Sequence, residues 1–239
     1  MNDPLNISYG NPKLNPEYIH SLEFSYYKRL KSTQITSTAF FRQTDSIITR
    51  IMTMDEFGVN HTTFKNLNNS QSYGFEFIVM QPLAKWWKVN LNYSIFKTIL
   101  NGQGVSSQSG ESNSWTAKLV SNMNLTKGLD VQIMGNYRSA VISTGSTGGR
   151  MFENVGGQGK IKEIWTIDLG MKKDILQGKG SLTFRVSDLF KTTKYDITSY
   201  GDNFETYIQR RRESRVVFVG FSYRINDYKR QKERRPEDS

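Results

Sequence analysis

Apolar and polar residues alternate with a period of two in nine segments of the chain. The clearest segment is WKVNLNYSIFK (Trp87–Lys97), in which large apolar side chains alternate with lysine, asparagine and serine up to Ile95. A period of two places successive side chains on opposite faces of a β-strand. No segment shows a competing helical period. The pattern therefore predicts an all-β fold whose strands have one apolar and one polar face.

The nine predicted strands follow one another along the chain without an intervening helix. They are Glu17–Leu30, Thr33–Gln43, Ser72–Gln81, Trp87–Lys97, Ser114–Leu125, Gly128–Arg138, Ile164–Lys173, Ser181–Phe190 and Arg212–Asn226. All five prolines lie outside these segments, where a missing N–H removes no ladder hydrogen bond. We therefore expect an antiparallel meander of about nine strands.

Short and long connections alternate strictly between these strands. The short ones are LKS, PLAK, TKG and LQGKG, and the long ones are Thr49–Ser72, Leu100–Asn113, Ser139–Lys160 and Lys191–Arg211. In a meander this arrangement puts every tight turn at one end of the sheet and every long loop at the other. Outer-membrane barrels have this asymmetry, with short periplasmic turns and long extracellular loops. The connections therefore favour strands that cross an outer membrane.

The aromatic content supports a folded β-structure with one hydrated face and one apolar face. They make up 13% of the chain, although hydrophobic residues reach only 36%, and disordered chains lack aromatics. The tryptophans and several tyrosines sit near predicted strand ends. They would form the girdles of a membrane barrel or else belong to an ordinary core.

The N-terminal stretch and the apolar residues exclude some other classes of protein. No apolar run reaches the roughly 18 residues of a transmembrane helix. MNDPLNISYG lacks the basic and apolar regions of a signal peptide, so we expect either a cytosolic protein or a mature or truncated piece. The absence of cysteine excludes disulfides and thiolate metal sites.

Four segments carry motifs that occur together, in the same order, in one known family. They are GNPKLNPEY (Gly10–Tyr18), SYGFEF (Ser72–Phe77), VSDLFKT (Val186–Thr192) and RESRVVFVGFSYRIN (Arg212–Asn226). In this order they resemble the C-terminal part of TonB-dependent outer-membrane receptors of the outer-membrane β-barrel family. The closing strand of that family usually ends in Phe, whereas Ile225 holds this place here.

The resemblance implies a barrel of about 22 strands with an N-terminal plug. Nine strands are an odd number, and bacterial barrels use even numbers. We therefore expect residues 1–226 to be the C-terminal portion of such a barrel without its plug, and residues 227–239 to be a charged periplasmic tail. On the closing strand, the residues expected to face lipid are Val217, Val219, Phe221, Tyr223 and Ile225.

The function implied by the resemblance is energised uptake of a siderophore, a glycan or a peptide across the outer membrane. The implied partners are outer-membrane lipid, the remainder of the barrel with its plug, the TonB complex and the barrel assembly machinery. As ligand contacts we consider the loops Gly145–Lys160 and Lys194–Arg211. Their candidate residues are Arg150, Tyr195, Arg210 and Arg211. Alternatively, both loops only fold over the barrel mouth.

The sequence offers no catalytic site, metal site or cofactor site. His20 and His61 are the only histidines, and His20 shares the parity of the apolar residues, which indicates an interfacial position. The Gly-rich stretch Gly145–Lys160 matches neither phosphate-loop motif, and it follows a predicted strand without a helix after it. Although the net charge is +10, cations lie mostly in loops or on the polar parity, so we expect no nucleic-acid partner.

Two other interpretations remain open on the sequence. One is a self-contained small outer-membrane barrel with a structural or adhesive role. It needs a tenth strand, to which Lys194–Tyr200 could contribute. The other is a soluble β-sandwich binding module.

Overall fold

The structure, a computed structural model, describes residues 5–66, 69–101, 109–126, 128–143, 158–200 and 205–225. Its strands in these ranges are β1 (Asn6–Ser8), β2 (Tyr18–Leu30), β3 (Thr33–Asp45), β4 (Ile48–Met54), β5 (Asn60–Asn66), β6 (Asn69–Ala84), β7 (Trp87–Asn101), β8 (Gly110–Thr126), β9 (Leu129–Arg138), β10 (Val141–Ser143), β11 (Gln158–Ile161), β12 (Ile164–Ile175), β13 (Gly180–Val186), β14 (Lys194–Tyr200), β15 (Glu205–Arg211) and β16 (Val217–Tyr223). The predicted all-β class is confirmed.

Nine strands form one antiparallel sheet, which we call the large sheet. Its spatial order is β16-β13-β12-β9-β8-β7-β6-β3-β2. Each of these strands therefore pairs with the next one of the nine along the chain, and the predicted meander is confirmed. Within the described residues, β2 and β16 are its two edges.

Most of the large apolar side chains of the nine strands lie on one face of the large sheet. Directly paired residues point to the same face, and the register pairs Leu91 with both Val79 and Leu119. At the far side it pairs Phe184 with Val219. This apolar face is largely uncovered, since Phe24 is 72% exposed and Val219 is 70% exposed. The predicted division into an apolar and a polar face is thus present in the structure.

The long connections contain strands of their own, which the sequence pattern did not predict. β4 and β5 form a hairpin that β1 joins in parallel, and β10, β11, β14 and β15 form a four-stranded sheet, which we call the small sheet. The segment Lys194–Tyr200 is indeed a strand, β14, but it pairs with β11 and β15. It therefore does not provide a tenth strand of the large sheet, and that expectation was wrong.

Two further predictions of detail are corrected. Pro82 lies inside β6, at an irregularity where the register shifts between Pro82 and Ala84. Such a bulge accommodates a residue that lacks an N–H. Of the other prolines, Pro12 and Pro16 lie outside the strands, and Pro4 and Pro236 lie outside the described residues.

The closing strand is shorter than the predicted Arg212–Asn226. It spans Val217–Tyr223, so that Ile225 follows the strand and is 91% exposed. The charged tail at 227–239 lies outside the described residues.

Candidate functional site

The polar face of the large sheet is connected by hydrogen bonds between side chains of neighbouring strands. Gln132 donates to the Asn122 carbonyl oxygen at 2.7 Å, and Asn136 donates to the Thr166 hydroxyl at 3.3 Å. These residues have the parity that the sequence assigns to the polar face. A sheet surface rich in amides and hydroxyls suits a hydrated or protein-filled interior.

A cavity of about 460 Å³ lies on this face. Most of its lining comes from β8, β9 and β12, and Tyr195 of β14 adds a wall from the small sheet. The polar side chains of the lining belong to Asn92, Thr116, Lys118, Asn136, Arg138, Thr166 and Tyr195. The cavity thus joins the polar face of the large sheet to the small sheet.

Two apolar clusters hold the long connections together at one end of the large sheet. In the first, Ile142 of β10 packs against the buried Ile47, which lies between β3 and β4, and against the buried Leu100 near the end of β7. In the second, the buried Ile161 and Ile197 join β11 to β14. The predicted position of the long loops at one end of the sheet is therefore confirmed for the described residues. The meander brings them to this end, and the two apolar clusters pack them together there.

Asp188 holds together the two ends of the hairpin β14–β15, which we call the closing excursion (Lys194–Arg211). Its carboxylate accepts hydrogen bonds from the backbone N–H groups of Thr192 and Thr193, both at 2.9 Å, and from the Ser214 hydroxyl. The residue is only 3% exposed. Burial opposes its ionisation, but these hydrogen bonds outweigh burial and keep the pKa of the Asp188 carboxyl well below its usual range.

The backbone around Asp188 explains the VSDLFKT motif. Asp188 has a positive φ of 44°, a conformation that Asp adopts more readily than most residues. Its own N–H donates to Asp168 of β12 at 2.7 Å, and the Leu189 N–H donates to the Ile167 carbonyl at 2.8 Å. The motif is therefore a turn that docks on β12 and closes the root of the excursion.

The GNPKLNPEY motif also has a structural role in this fold, because it lies along the hairpin β4–β5. Asn11 donates to the Phe64 carbonyl at 2.8 Å, and the Asn15 N–H donates to the Asn66 side chain at 2.8 Å. Glu17 accepts a hydrogen bond from the Ile48 N–H. The motif thus fixes the hairpin beside the start of β2.

A basic cleft of about 640 Å³ opens beside the root of the closing excursion. Its charged lining residues are Lys191, Lys194, Arg211, Arg212 and Glu213. Lys194 also approaches Asp196 at 3.6 Å. The pKa of Asp196 is lowered mainly by a hydrogen bond from Gln209, which outweighs burial, and Lys194 adds to the effect.

The candidate ligand contacts fall into different places. Tyr195 lines the cavity on the polar face, and Arg210 is its direct partner across the β14–β15 ladder. Arg211 lines the basic cleft instead. Arg150 lies outside the described residues. The structure therefore brings Tyr195 and Arg210 together, while ligand contact by any of the four stays a prediction.

Sequence reasoning missed Arg138 and Asp188 as functional or structural centres. Asp188 lies in a motif and Arg138 has the polar parity, but the role of Asp188 depends on partners from distant segments and that of Arg138 on the burial of its side-chain nitrogens. The VSDLFKT motif was the only sequence signal for Asp188, and no signal distinguished Arg138 from other polar-face residues.

The two histidines differ in exposure, since the His61 side chain is 31% exposed and the His20 side chain is 73% exposed. His61 pairs with Asp55 at 3.0 Å in the hairpin β4–β5, and this hydrogen bond is the main cause of the lowered pKa of Asp55. The His20 side chain lies 3.8 Å from Asp45.

In the described part of the chain, no three His, Cys, Asp or Glu side chains gather as a metal site would require. Nor does any helix there have the length and apolarity to cross a membrane.

A meander with one uncovered apolar face, tight turns at one end and packed long connections at the other defines the class of outer-membrane β-barrel proteins. The model of the outer membrane protein beta-barrel family matches residues 1–223, and the chain belongs to this family. Family membership places the protein in the outer membrane. No curated protein matches the sequence.

Two solved structures share the fold at low sequence identity. The copper transporter OprC superposes with a TM-score of 0.60 at 11% identity, over 89% of this chain and 32% of that chain. The FrpB iron transporter from Neisseria meningitidis superposes with a TM-score of 0.52 at 14% identity, over 91% of this chain and 33% of that chain. The chain thus spans about a third of the length of each transporter.

Proposed function

We propose that the chain forms the C-terminal barrel portion of a TonB-dependent outer-membrane receptor that takes up a ligand. The observation that carries this proposal is the nine-stranded meander, which superposes on about a third of each of two much longer metal transporters. The order of the family motifs along the chain supports the same reading. As in the family it resembles, the protein would supply wall and loops rather than an enzymatic site.

The two edges of the large sheet indicate what the rest of the barrel must provide. In lipid, unpaired backbone groups cost several kcal/mol each, so membrane strands occur in closed barrels. Further strands would therefore pair with β2 and β16, which are edges within the described residues. A plug inside the barrel would contact the polar face and, through TonB, receive energy from the inner membrane.

The apolar face would contact lipid, and its closing strand would present Val217, Val219, Phe221 and Tyr223 to the bilayer. Ile225 follows the strand and would extend the same contact near the periplasmic surface. The barrel assembly machinery would read this closing strand. The charged residues 227–239 would then continue into the periplasm.

The closing excursion and the Gly-rich loop Gly145–Lys160 would face the outside and capture the ligand, which would belong to the siderophore, glycan or peptide class. Tyr195 and Arg210 would contact it at the polar face, Arg211 at the basic cleft and Arg150 from the Gly-rich loop.

The proposed uptake is tested by growth and transport assays with a panel of ferric siderophores, oligosaccharides and peptides. Cells that lack this protein should lose uptake of one member of the panel. Cells that lack TonB should lose the same uptake to the same extent, while entry of small solutes through porins stays unchanged. Uptake that depends on this protein but persists without TonB would contradict the proposal.

The other two interpretations have less support. A small self-contained barrel needs a tenth strand, and Lys194–Tyr200, which could have contributed to one, lies in the small sheet. A soluble sandwich needs a second layer over the apolar face, which is uncovered in the described structure. No second function is therefore proposed.

A further inference from the structure

Arg138 is an anomaly on the polar face of the large sheet. It is the last residue of β9, directly opposite Thr116 of β8 and Ile164 of β12. Its Nε and Nη2 atoms are buried, and among the described residues neither has a hydrogen-bond partner. A buried charged donor without an acceptor is energetically costly. The arrangement therefore calls for an acceptor that the described chain does not itself supply.

The two unpaired atoms define the geometry of that acceptor. Nε and Nη2 lie on the same edge of a guanidinium group, so their N–H bonds point in parallel toward one neighbour. This edge matches the two oxygens of a carboxylate or phosphate, which accept both hydrogen bonds at once. A single neutral carbonyl would satisfy only one of the two donors.

The surroundings of Arg138 favour a small anionic molecule. The cavity that it lines measures about 460 Å³, within the usual range for small-ligand sites. A second cation, Lys118, lines the same cavity, with Asn92 and Asn136 as neutral hydrogen-bonding neighbours. None of the described lining residues is an Asp or a Glu. The cavity therefore presents positive charge without an internal counter-ion.

We propose that Arg138 binds the carboxylate or phosphate group of a small ligand through its Nε–Nη2 edge, with Lys118 as a second positive charge. Tyr195 lines the same cavity from the small sheet. The site rests on the proposed function in one respect, because it takes the polar face to be the barrel interior. It adds the chemical class of the ligand, which must carry an oxyanion.

The test is direct binding to the protein extracted in detergent from outer membranes, together with whatever completes its barrel. Citrate and inorganic phosphate serve as separate probes in a titration followed by calorimetry. We expect at least one to bind. Arg138→Gln should weaken that binding by about ten- to hundredfold, the range for loss of hydrogen bonds to a charged group. Arg138→Lys should bind with intermediate affinity, because lysine keeps the charge but not the fork.

Arg42→Gln is the matched control. Arg42 lies on the same polar face, and its replacement by Gln removes the same positive charge. Unlike Arg138, it already pairs with Glu23 at 3.7 Å. This variant should bind the probe as the unchanged protein does. Equal weakening by both arginine substitutions would overturn the proposal, since it would reveal a general charge effect. Failure of both probes to bind the unchanged protein would also overturn it.

The outcome is independent of the test for energised uptake. Binding is measured on extracted protein and needs no TonB, whereas uptake is measured in cells with and without TonB. Loss of TonB dependence with intact oxyanion binding would contradict only the proposed function. Intact TonB-dependent uptake without oxyanion binding would contradict only the assignment of Arg138.

Discussion

Gly74 of β6 lies so close to the backbone of β7 that no side chain fits at this position. A Cβ at this position would lie 2.1 Å from the Ile95 carbonyl oxygen and 2.7 Å from Phe96 Cα. Both are backbone atoms of β7, which cannot move without disturbing the ladder with β6. The glycine of the SYGFEF motif is therefore required by backbone packing.

Gly74→Ala should lower the free energy of unfolding by about 1–3 kcal/mol, the usual cost of overpacking. Gly135→Ala is the control, because no atom lies within 4 Å of the Cβ it would add in the same sheet. The two variants are compared by urea unfolding of the barrel in lipid vesicles, followed by tryptophan fluorescence. Equal unfolding midpoints would contradict the close approach of β6 and β7.

Asp188 shows how one carboxylate orders a turn. All its described partners donate hydrogen bonds: the Thr192 N–H and hydroxyl, the Thr193 N–H and the Ser214 hydroxyl. An amide in the same place would direct its own N–H groups at some of these donors. The side chain must therefore be an acceptor on both oxygens.

Asp188→Asn should destabilise the closing excursion by about 1–3 kcal/mol at neutral pH, as expected for an unsatisfied buried group. Because the folded pKa of Asp188 is lowered, its stabilisation is complete above the unfolded pKa of about 4. It is lost as the pH falls through the lower folded pKa. Hydrogen exchange of the β14–β15 amides measures the difference between the two proteins, which should shrink on acidification. Asp174 is a half-buried aspartate that pairs with Lys172 far from this turn, so Asp174→Asn should show no such change in these amides.

At the scale of the element, β7 illustrates how a strand carries two environments. Leu91 lies on the apolar face between Val79 and Leu119, whereas Asn92 lies on the polar face between Ile78 and Lys118. The two residues are adjacent and at the same depth. Substitutions at these two residues therefore compare the apolar face with the polar face at nearly the same depth in the membrane.

Leu91→Arg should destabilise the completed barrel by about 2–4 kcal/mol if it lies near the bilayer midplane, because a charge would enter lipid. Asn92→Arg should cost far less, since it faces the interior. Urea unfolding in vesicles provides the comparison, with the yield of folded barrel on unheated gels as a second measure. Equal costs for the two substitutions would reverse or abolish the assignment of faces.

At the scale of the whole molecule, the strands of the large sheet were predictable because a period of two is a local signal. The pairing inside the long connections was not, since Ile161 meets Ile197 across a large sequence separation. Pro82 was assigned outside a strand because a bulge in the ladder leaves no mark on the alternation. The class of protein thus follows from the strands and from where the long connections lie.

The candidate site was less predictable for a related reason. Tyr195 was singled out from its loop, but the residue that gives its surroundings chemical meaning is Arg138 on a different sheet. Parity alone placed Arg138 on the polar face. Only the fold shows that two of its nitrogens are buried without an acceptor in the described residues. Burial of a polar atom depends on packing, which no short motif records.

The turn at Asp188 also bears on how such a protein changes over evolutionary time. Since the carboxylate joins both ends of the excursion, the chain between them is a loop that is already closed. Doubling the length of a closed loop costs only about 0.6 kcal/mol of conformational entropy. The segment between these two ends can therefore be lengthened, shortened or exchanged while the strands of the large sheet keep their register.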